Sequence, residues 1–468
     1  MNKTQPPIGQ QPIRDARTLG LPKMLLLGLQ HMFAMFGATV LVPILVQGYG
    51  LPLSIQTTLF FAGVGTLFFH VCTRLKVPAF LGSSFAFLGG FQAMAQMDSG
   101  MYATMEPAEK LQYTCGGIVV ACLLYVILTL IIKVVGVHKV MRYLPPVVTG
   151  PIIILIGLNL APSAVSNAST CWWLALVAMA IIVVANIWGK GMIKIIPILL
   201  GVVGSYVFAM IVDPAARANL AQLVGEAEWI GLPVVWNKTA LSIFGKEFDG
   251  SLLVTSIITI MPISLATMME HIGDISAISS TVGKNFVADP GLHRTLLGDG
   301  LATTVASLFG GPANTTYGEN TGVLALSKVY DPKVVRLAAI FAAVLSFCPK
   351  FSAVIRAMPA ATMGGVSLVL YGMISAVGVR NVVENHVDFT KSRNVLIAAM
   401  IMGLAIGVSN SAAGAISFNV GSVTISLSGL AVAALVGIIM NAVLPGKDYE
   451  FGVNEQGDTS VNFGTRAK

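Results

Sequence analysis

Four acidic side chains and one histidine stand inside apolar runs of the chain: Glu270, Asp274, Asp299, Glu319 and His31. A carboxylate at the centre of a membrane helix costs roughly 2.5–3.5 kcal/mol on insertion scales, so an unneeded one is rare. Glu270 and Asp274 are four residues apart and share a helix face with Thr267 and Ala277. That face is either a polar seam bonded to a neighbouring helix or the wall of a substrate or proton cavity. Asp299, in Gly298-Asp299-Gly300, either bonds backbone amides freed near a broken helix or joins the site. His31, in Gln30-His31-Met32-Phe33, is either a hydrogen-bond partner or a proton carrier. Glu319 lies in Asn314-Thr315-Thr316-Tyr317-Gly318-Glu319-Asn320, a run with neither helical nor strand period. Gly82-Ser83-Ser84-Phe85-Ala86-Phe87 is a second such run. Irregular backbone at membrane depth is tolerated only where it is buried in protein or lines a cavity. Such breaks expose free N–H groups and half-helix N-termini, which bind polar ligand atoms.

A pocket between the two breaks would offer backbone amides, two carboxylates, and the aromatics Phe85 and Tyr317. Carboxylates repel simple anions and accept from N–H donors, while backbone amides donate to carbonyl oxygens. Aromatic rings favour a flat partner. The complementary ligand is a small, flat, neutral molecule with alternating N–H and C=O groups, as in uracil or xanthine. The glycines and aromatics argue against a dedicated metal cage, and no cofactor is expected.

The elements that must position these residues follow from composition. Of 468 residues, 55% are hydrophobic and only 10% charged. Soluble domains carry about 25% charged residues, so a soluble enzyme, a disordered chain and a fibrous protein are all excluded. The net charge of +7 comes from basic residues in short loops; it reflects a membrane topology bias and not a nucleic-acid surface. Five scattered cysteines are packing residues. Fourteen spans are predicted, near 24–46, 53–73, 77–97, 112–134, 144–165, 171–188, 192–212, 252–279, 291–309, 312–328, 334–354, 359–378, 394–409 and 428–445. The third and tenth contain the two breaks. Basic loop residues such as Arg74, Lys139, Arg142, Lys190, Lys333 and Lys391 fall on one side, with both termini, and that side is cytoplasmic by the positive-inside rule. The opposite loops are acidic, with Asp98, Glu106 and Glu109 and a long 213–250 connection; Lys350 and Arg356 are exceptions.

The chain also repeats itself. Val140, Arg142, Pro145 and Gly150 recur as Val354, Arg356, Pro359 and Gly364 at one constant offset of 214 residues. Gln30-His31 has an echo in Glu270-His271. Each pair is seven spans apart, and seven is odd, so the second copy is inverted across the bilayer, as in many secondary transporters.

With these residues in view, the chain resembles the nucleobase–ascorbate transporter family over about residues 20–446, and within it the uracil-carrying bacterial branch. The motifs are Gln30–Gly37, Leu81–Phe87, Asp289-Pro290-Gly291-Leu292-His293-Arg294, and Asn314–Asn320 continuing as Thr321-Gly322 and closing with Ser327-Lys328. The resemblance implies an all-α integral membrane protein with 14 transmembrane segments in two inverted seven-segment repeats. Short strands are implied in broken segments 3 and 10, and core and gate domains. Residues 24–134 and 251–354 would form the core, 144–212 and 359–445 the gate, with an extracytoplasmic connection at 213–250 and cytoplasmic tails at 1–23 and 447–468. It implies proton-coupled uptake of uracil by a homodimer in the cytoplasmic membrane, and no enzyme activity. Glu270 and Glu319 would bind the base, the amides of Phe85 and Gly318 would meet its carbonyls, and Tyr317 and Ser84 would pack beside it. His31, Asp274, Asp299 and Asn320 would form the proton-coupling or supporting network. Three features bear on the branch. Asp274 stands where the uracil carriers commonly have histidine, and Asp299 is similar to the purine branch, whereas Glu319 after Tyr-Gly is similar to the uracil branch. Xanthine or another purine is therefore the alternative cargo. An anion transporter of the same fold is a more distant one, since it would present basic groups at the breaks.

Overall fold

The computed structural model describes residues 12–97, 102, 104–245, 248–411, 414–420, 423–447 and 449. Asp98, Glu247 and most of both tails lie outside these. The first repeat runs α1 (Leu21–Gly48), α2 (Ile55–Cys72), β1 (Leu81–Ser83), α3 (Leu88–Ala95), α4 (Pro107–Ala121), α5 (Leu123–Val135), α6 (Val137–Met141), α7 (Pro146–Ser169), α8 (Trp172–Ile187), α9 (Met192–Ile195) and α10 (Pro197–Val212). α11 (Pro214–Glu226) lies in the connection. The second repeat runs α12 (Gly250–Val282), α13 (Leu292–Leu308), β2 (Asn314–Thr316), α14 (Gly318–Ser327), α15 (Pro332–Leu345), α16 (Pro349–Arg356), α17 (Ala360–Glu384), α18 (Ser392–Ser409), β3 (Ala415–Val420), β4 (Val423–Ser428) and α19 (Gly429–Val443). All fourteen predicted segments appear, in order, and strands stand in the third and tenth. Among the described residues α1, α2, α4 with α5, α7, α12, α17 and α18 are each long and apolar enough to cross a bilayer. The other segments are shorter helices, bent pairs or strand–helix units.

The inverted repeat is visible in the packing of α7 against α17, which run antiparallel with glycines at both ends. A Cβ on Gly150 would meet Val382 Cγ2 at 2.3 Å and the Gly378 carbonyl at 3.3 Å; one on Gly364 would meet Ala168 N at 2.2 Å and the Ala164 carbonyl at 2.7 Å. The sequence offset converts Gly150 to Gly364 and Ala164 to Gly378, so each contact maps onto the other. Pro145 and Pro359 take equivalent places too, each as the N-cap residue of its helix. Around the strands, α2 packs on α13 and α15, α4 on α12 and α13, and α5 on α13; on the other side α8 packs on α10 and α17, and α18 on α19 and α7.

Two expectations need correction, and one element was not expected. The predicted span 334–354 is two helices, α15 and α16, bent by 88°. Ser346–Cys348 and Pro349 interrupt the helix there, because proline has no N–H to continue it. That bend accounts for the misplaced charges: Lys350 donates to the Val224 carbonyl (2.7 Å) and sits 5.0 Å over the Trp229 ring, beside the connection and not in a span. The 213–250 connection is not mere loop, since α11 turns 112° away from α10 and its start is capped by Asp213. Between the last two spans the chain forms an antiparallel hairpin, paired from Ala415↔Ser428 to Val420↔Val423, with β4 packed on α12.

Candidate functional site

The site is built where the two breaks cross. β1 and β2 pair antiparallel, Leu81↔Thr316, Gly82↔Thr315 and Ser83↔Asn314. Ser84 N donates to the Ala313 carbonyl (2.8 Å) and Tyr317 N to the Phe80 carbonyl (3.0 Å). A two-stranded ribbon still leaves its outer N–H and C=O groups without partners, which is costly away from water. Two threonine hydroxyls meet that need. Thr66 of α2 has its oxygen 2.9 Å from Leu81 N and 3.1 Å from Leu81 O. Thr303 of α13 has its oxygen 3.0 Å from both Asn314 N and Asn314 O. Each clamp holds the first residue of its strand, once in each repeat. Sequence reasoning missed both; the available signal was a polar residue within an apolar helix of each repeat. Thr66→Val or Thr303→Val should each cost about 1–3 kcal/mol, the penalty of stranding buried polar groups, and serine should restore most of it. Thermal unfolding in detergent checks this.

Tyr317 braces the crossing. Its hydroxyl donates to the Ser83 carbonyl (2.9 Å) and lies 3.2 Å from Ser83 Oγ, while Thr39 of α1 donates to it at 3.3 Å. The ring lies where a Cβ on Gly82 would be, 2.3 Å from Cζ. Beyond the strands, α3 and α14 begin with no side-chain cap. The first N–H groups of a helix have no partner within it, so these two starts are donors for a ligand. Gly318 and Gly322 have open space where a Cβ would project.

A cavity of about 1050 Å³ occupies this space, lined by Phe85, Glu270, Asp274, Tyr317, Gly318 and Glu319 among others. It runs along α12 and α17 to Lys194, Thr281, Arg380 and Glu384, at the basic end of the protein. Five of the six predicted binding residues therefore share one cavity. Ser84 does not line it; it is buried behind, with its Oγ unpartnered. Phe85 packs edge-on to Tyr371 of α17, ring centroids 5.8 Å apart.

The predicted network divides into separate pairs. Asp274 lines the cavity and accepts from Thr316 Oγ1 at 2.8 Å. Asn320 Nδ2 donates to the His31 carbonyl (3.0 Å) and lies 3.1 Å from His31 Nδ1, tying α14 to α1. Asp299 is fully buried with its Oδ2 3.2 Å from His271 Nδ1, joining α13 to α12. His271 was seen in the sequence only as a repeat marker. Glu270 Oε2 is buried without a partner, as are Asp299 Oδ1, His31 Nε2 and Asn320 Oδ1, but of these four residues Glu270 alone lines the cavity. Buried polar atoms are nearly always bonded, so a bare carboxylate oxygen on a cavity wall is a place for a ligand donor.

The fold and this cavity define a multi-pass membrane transporter of the inverted seven-plus-seven kind, with a polar site at the crossing of two broken segments. The chain belongs to the Permease family, whose pattern it matches over residues 22–414. It is 38% identical to the uracil permease of Bacillus caldolyticus over 444 residues, covering 93% of this chain and 94% of that protein. It is also 38% identical to the uracil permease of Bacillus subtilis over 445 residues, covering 92% and 94%. Its fold is that of the transmembrane domain of the cyanobacterial bicarbonate transporter BicA, at 14% identity and a TM-score of 0.55, over 92% of this chain and 99% of that one.

Proposed function

We propose that this permease carries uracil, together with a proton, across the cytoplasmic membrane by alternating access. The observation that carries the reading is the unpartnered Glu270 oxygen in a cavity shared with Glu319, the uncapped start of α14 and Phe85 of the turn before α3. Glu270 and Glu319 accept the ring N–H groups of the base, and the amides of Phe85 and Gly318 donate to its carbonyls. Tyr317 sets the floor, with Ser84 buried behind the cavity wall. A fold shared with a bicarbonate transporter does not choose the cargo, but the three carboxylates at the crossing, Glu270, Asp274 and Glu319, oppose an anion.

Two unprotonated glutamates facing one small cavity repel each other. A proton entering with the base removes that repulsion, so the loaded state is reached only with both aboard, and a ligand shifts a conformational equilibrium only through such differential affinity. Asp274, Asp299, His31 and Asn320 hold the surrounding helices in register. The moving unit is the core, residues 24–134 and 251–354, against the gate, residues 144–212 and 359–445. The contacts of the N-terminal segment with a basic loop support a cytoplasmic N-terminus: Ile13 bridges to Val329, and Asp331 accepts from Ala16 N (2.8 Å), beside Lys333. The cavity then opens inward. The same reading includes a homodimer, which would bury part of the exposed apolar surface that otherwise faces lipid.

Asp274 in place of histidine favours a second cargo, xanthine or another purine. Labelled uracil uptake into proteoliposomes should rise severalfold when an inward proton gradient is imposed. Uptake indifferent to the gradient would remove proton coupling. Because a ligand that binds only the folded state raises apparent stability, a melting series with uracil, xanthine and other bases decides the cargo; stabilisation by xanthine alone would overturn uracil.

A further inference from the structure

Several basic groups at this end of the protein have a carboxylate or carbonyl partner. Lys76 pairs with Asp289 (2.6 Å), Lys333 with Asp15 and Asp331, and Arg380 with Glu384 (2.5 Å). Arg393 donates to Asn441. One set without a carboxylate partner is drawn together by the packing. Arg74, at the end of α2, Lys133, near the end of α5, and His293 and Arg294, at the start of α13, form no ion pair among the described residues.

The packing brings these four to one level. Gly298 of α13 meets Phe69 and Cys72 of α2, and Arg294 Nη1 donates to the Cys72 carbonyl (3.3 Å), two residues before Arg74. Gly300 meets Tyr125 of α5. From that contact, eight residues along α5 reach Lys133 and seven back along α13 reach His293; at 1.5 Å per residue these are nearly equal steps, about 12 and 10 Å. Arg74 and Leu75 both take left-handed backbone, φ 56° and 57°, with no glycine to relieve it. Arg74 and Lys133 are exposed. Directly alongside, Val71 and Phe68 of α2 and Ile127, Leu130, Ile131 and Val134 of α5 expose apolar side chains outward.

We infer that this cluster binds the headgroup of an anionic phospholipid, whose acyl chains lie on the exposed apolar faces of α2 and α5. Like charges from three helices repel unless an anion neutralises them, and basic clusters at the cytoplasmic ends of spans recruit acidic lipids. The apolar flank selects a lipid over a free anion. The lipid would tie together α2 and α13, the two helices whose threonines clamp the strands, and so steady the site from outside.

The full chain is reconstituted in nanodiscs of phosphatidylcholine, with or without phosphatidylglycerol, and its melting temperature measured. Phosphatidylglycerol should raise it. The double variant Arg74→Gln/Lys133→Gln, whose side chains are exposed and unpaired, should lose most of that gain. Its affinity for added short-chain phosphatidylglycerol in neutral detergent should fall about thirtyfold, at about 1 kcal/mol per charge. Lys190→Gln/Lys284→Gln removes the same charge from other basic loops and should keep the gain. An equal loss in both double variants would overturn the site in favour of general surface charge. An equal gain from inorganic phosphate in phosphatidylcholine discs would overturn the lipid assignment.

Discussion

Glu270→Gln should abolish uracil-induced stabilisation of the purified protein and reduce uptake to background. The two side chains have nearly the same shape, so the cavity is kept and only the charge and one acceptor are changed. Glutamine turns one oxygen into an NH₂ donor, which then confronts the N–H of the base. Breaking a buried, charge-assisted hydrogen bond costs about 2–5 kcal/mol, at least about thirtyfold in affinity and enough to erase a melting shift at micromolar base. Glu319→Gln should act in the same direction, because its carboxylate lines the same cavity next to the N-terminus of α14. Glu384→Gln, at the open end, serves as the control; a surface change of this kind stays within about 0.5 kcal/mol. Wild-type binding in both glutamate variants would remove the assigned site.

The second large effect is expected from Gly82→Ala. The added methyl carbon would stand 2.3 Å from Tyr317 Cζ, 2.4 Å from Cε2 and 2.8 Å from Thr39 Oγ1. No rotation of alanine relieves this, since Cβ is fixed by the backbone. Tyr317 would have to move, and its bonds to the Ser83 carbonyl and Thr39 would go with it. Overpacking a buried site costs about 1–3 kcal/mol, and stranding the hydroxyl adds about 1–3 more. Gly82 pairs with Thr315 at the centre of the ribbon, so the damage falls between the two helix starts proposed to hold the base. The protein should show a melting temperature several degrees lower and no measurable uptake. Gly89→Ala, a few residues on in α3 where a Cβ meets nothing within 4 Å, should be neutral or slightly stabilising. Equal behaviour of the two variants would show that Tyr317 does not depend on the missing side chain.

Much of this site was legible from the chain alone. Glu270, Asp274, Glu319 and the glycine-rich breaks stood out because each departs from an apolar surrounding where departures are costly. The inverted relation was legible too, since an odd spacing of segments forces it. The threonine clamps were not. A threonine in an apolar helix is unremarkable until a strand edge is seen against it, and Leu81 lies 15 residues from Thr66 in the chain. The break at Pro349 was readable in principle, but hydropathy carried the predicted span across it.

Residue types and their spacing determined by themselves that the protein is a membrane transporter built twice over, and which polar groups had to matter. The reason is that lipid cannot solvate a carboxylate or a free amide, so every polar residue kept within a span carries information. Only the tertiary structure decided how those groups divide. His31 is tied to Asn320, Asp299 to His271 and Asp274 to Thr316, while Glu270, a residue of the cavity wall, carries a bare oxygen. His31 and Asn320 lie 289 residues apart, and no local periodicity encodes which distant helices meet. That is settled by the packing of one repeat against the other.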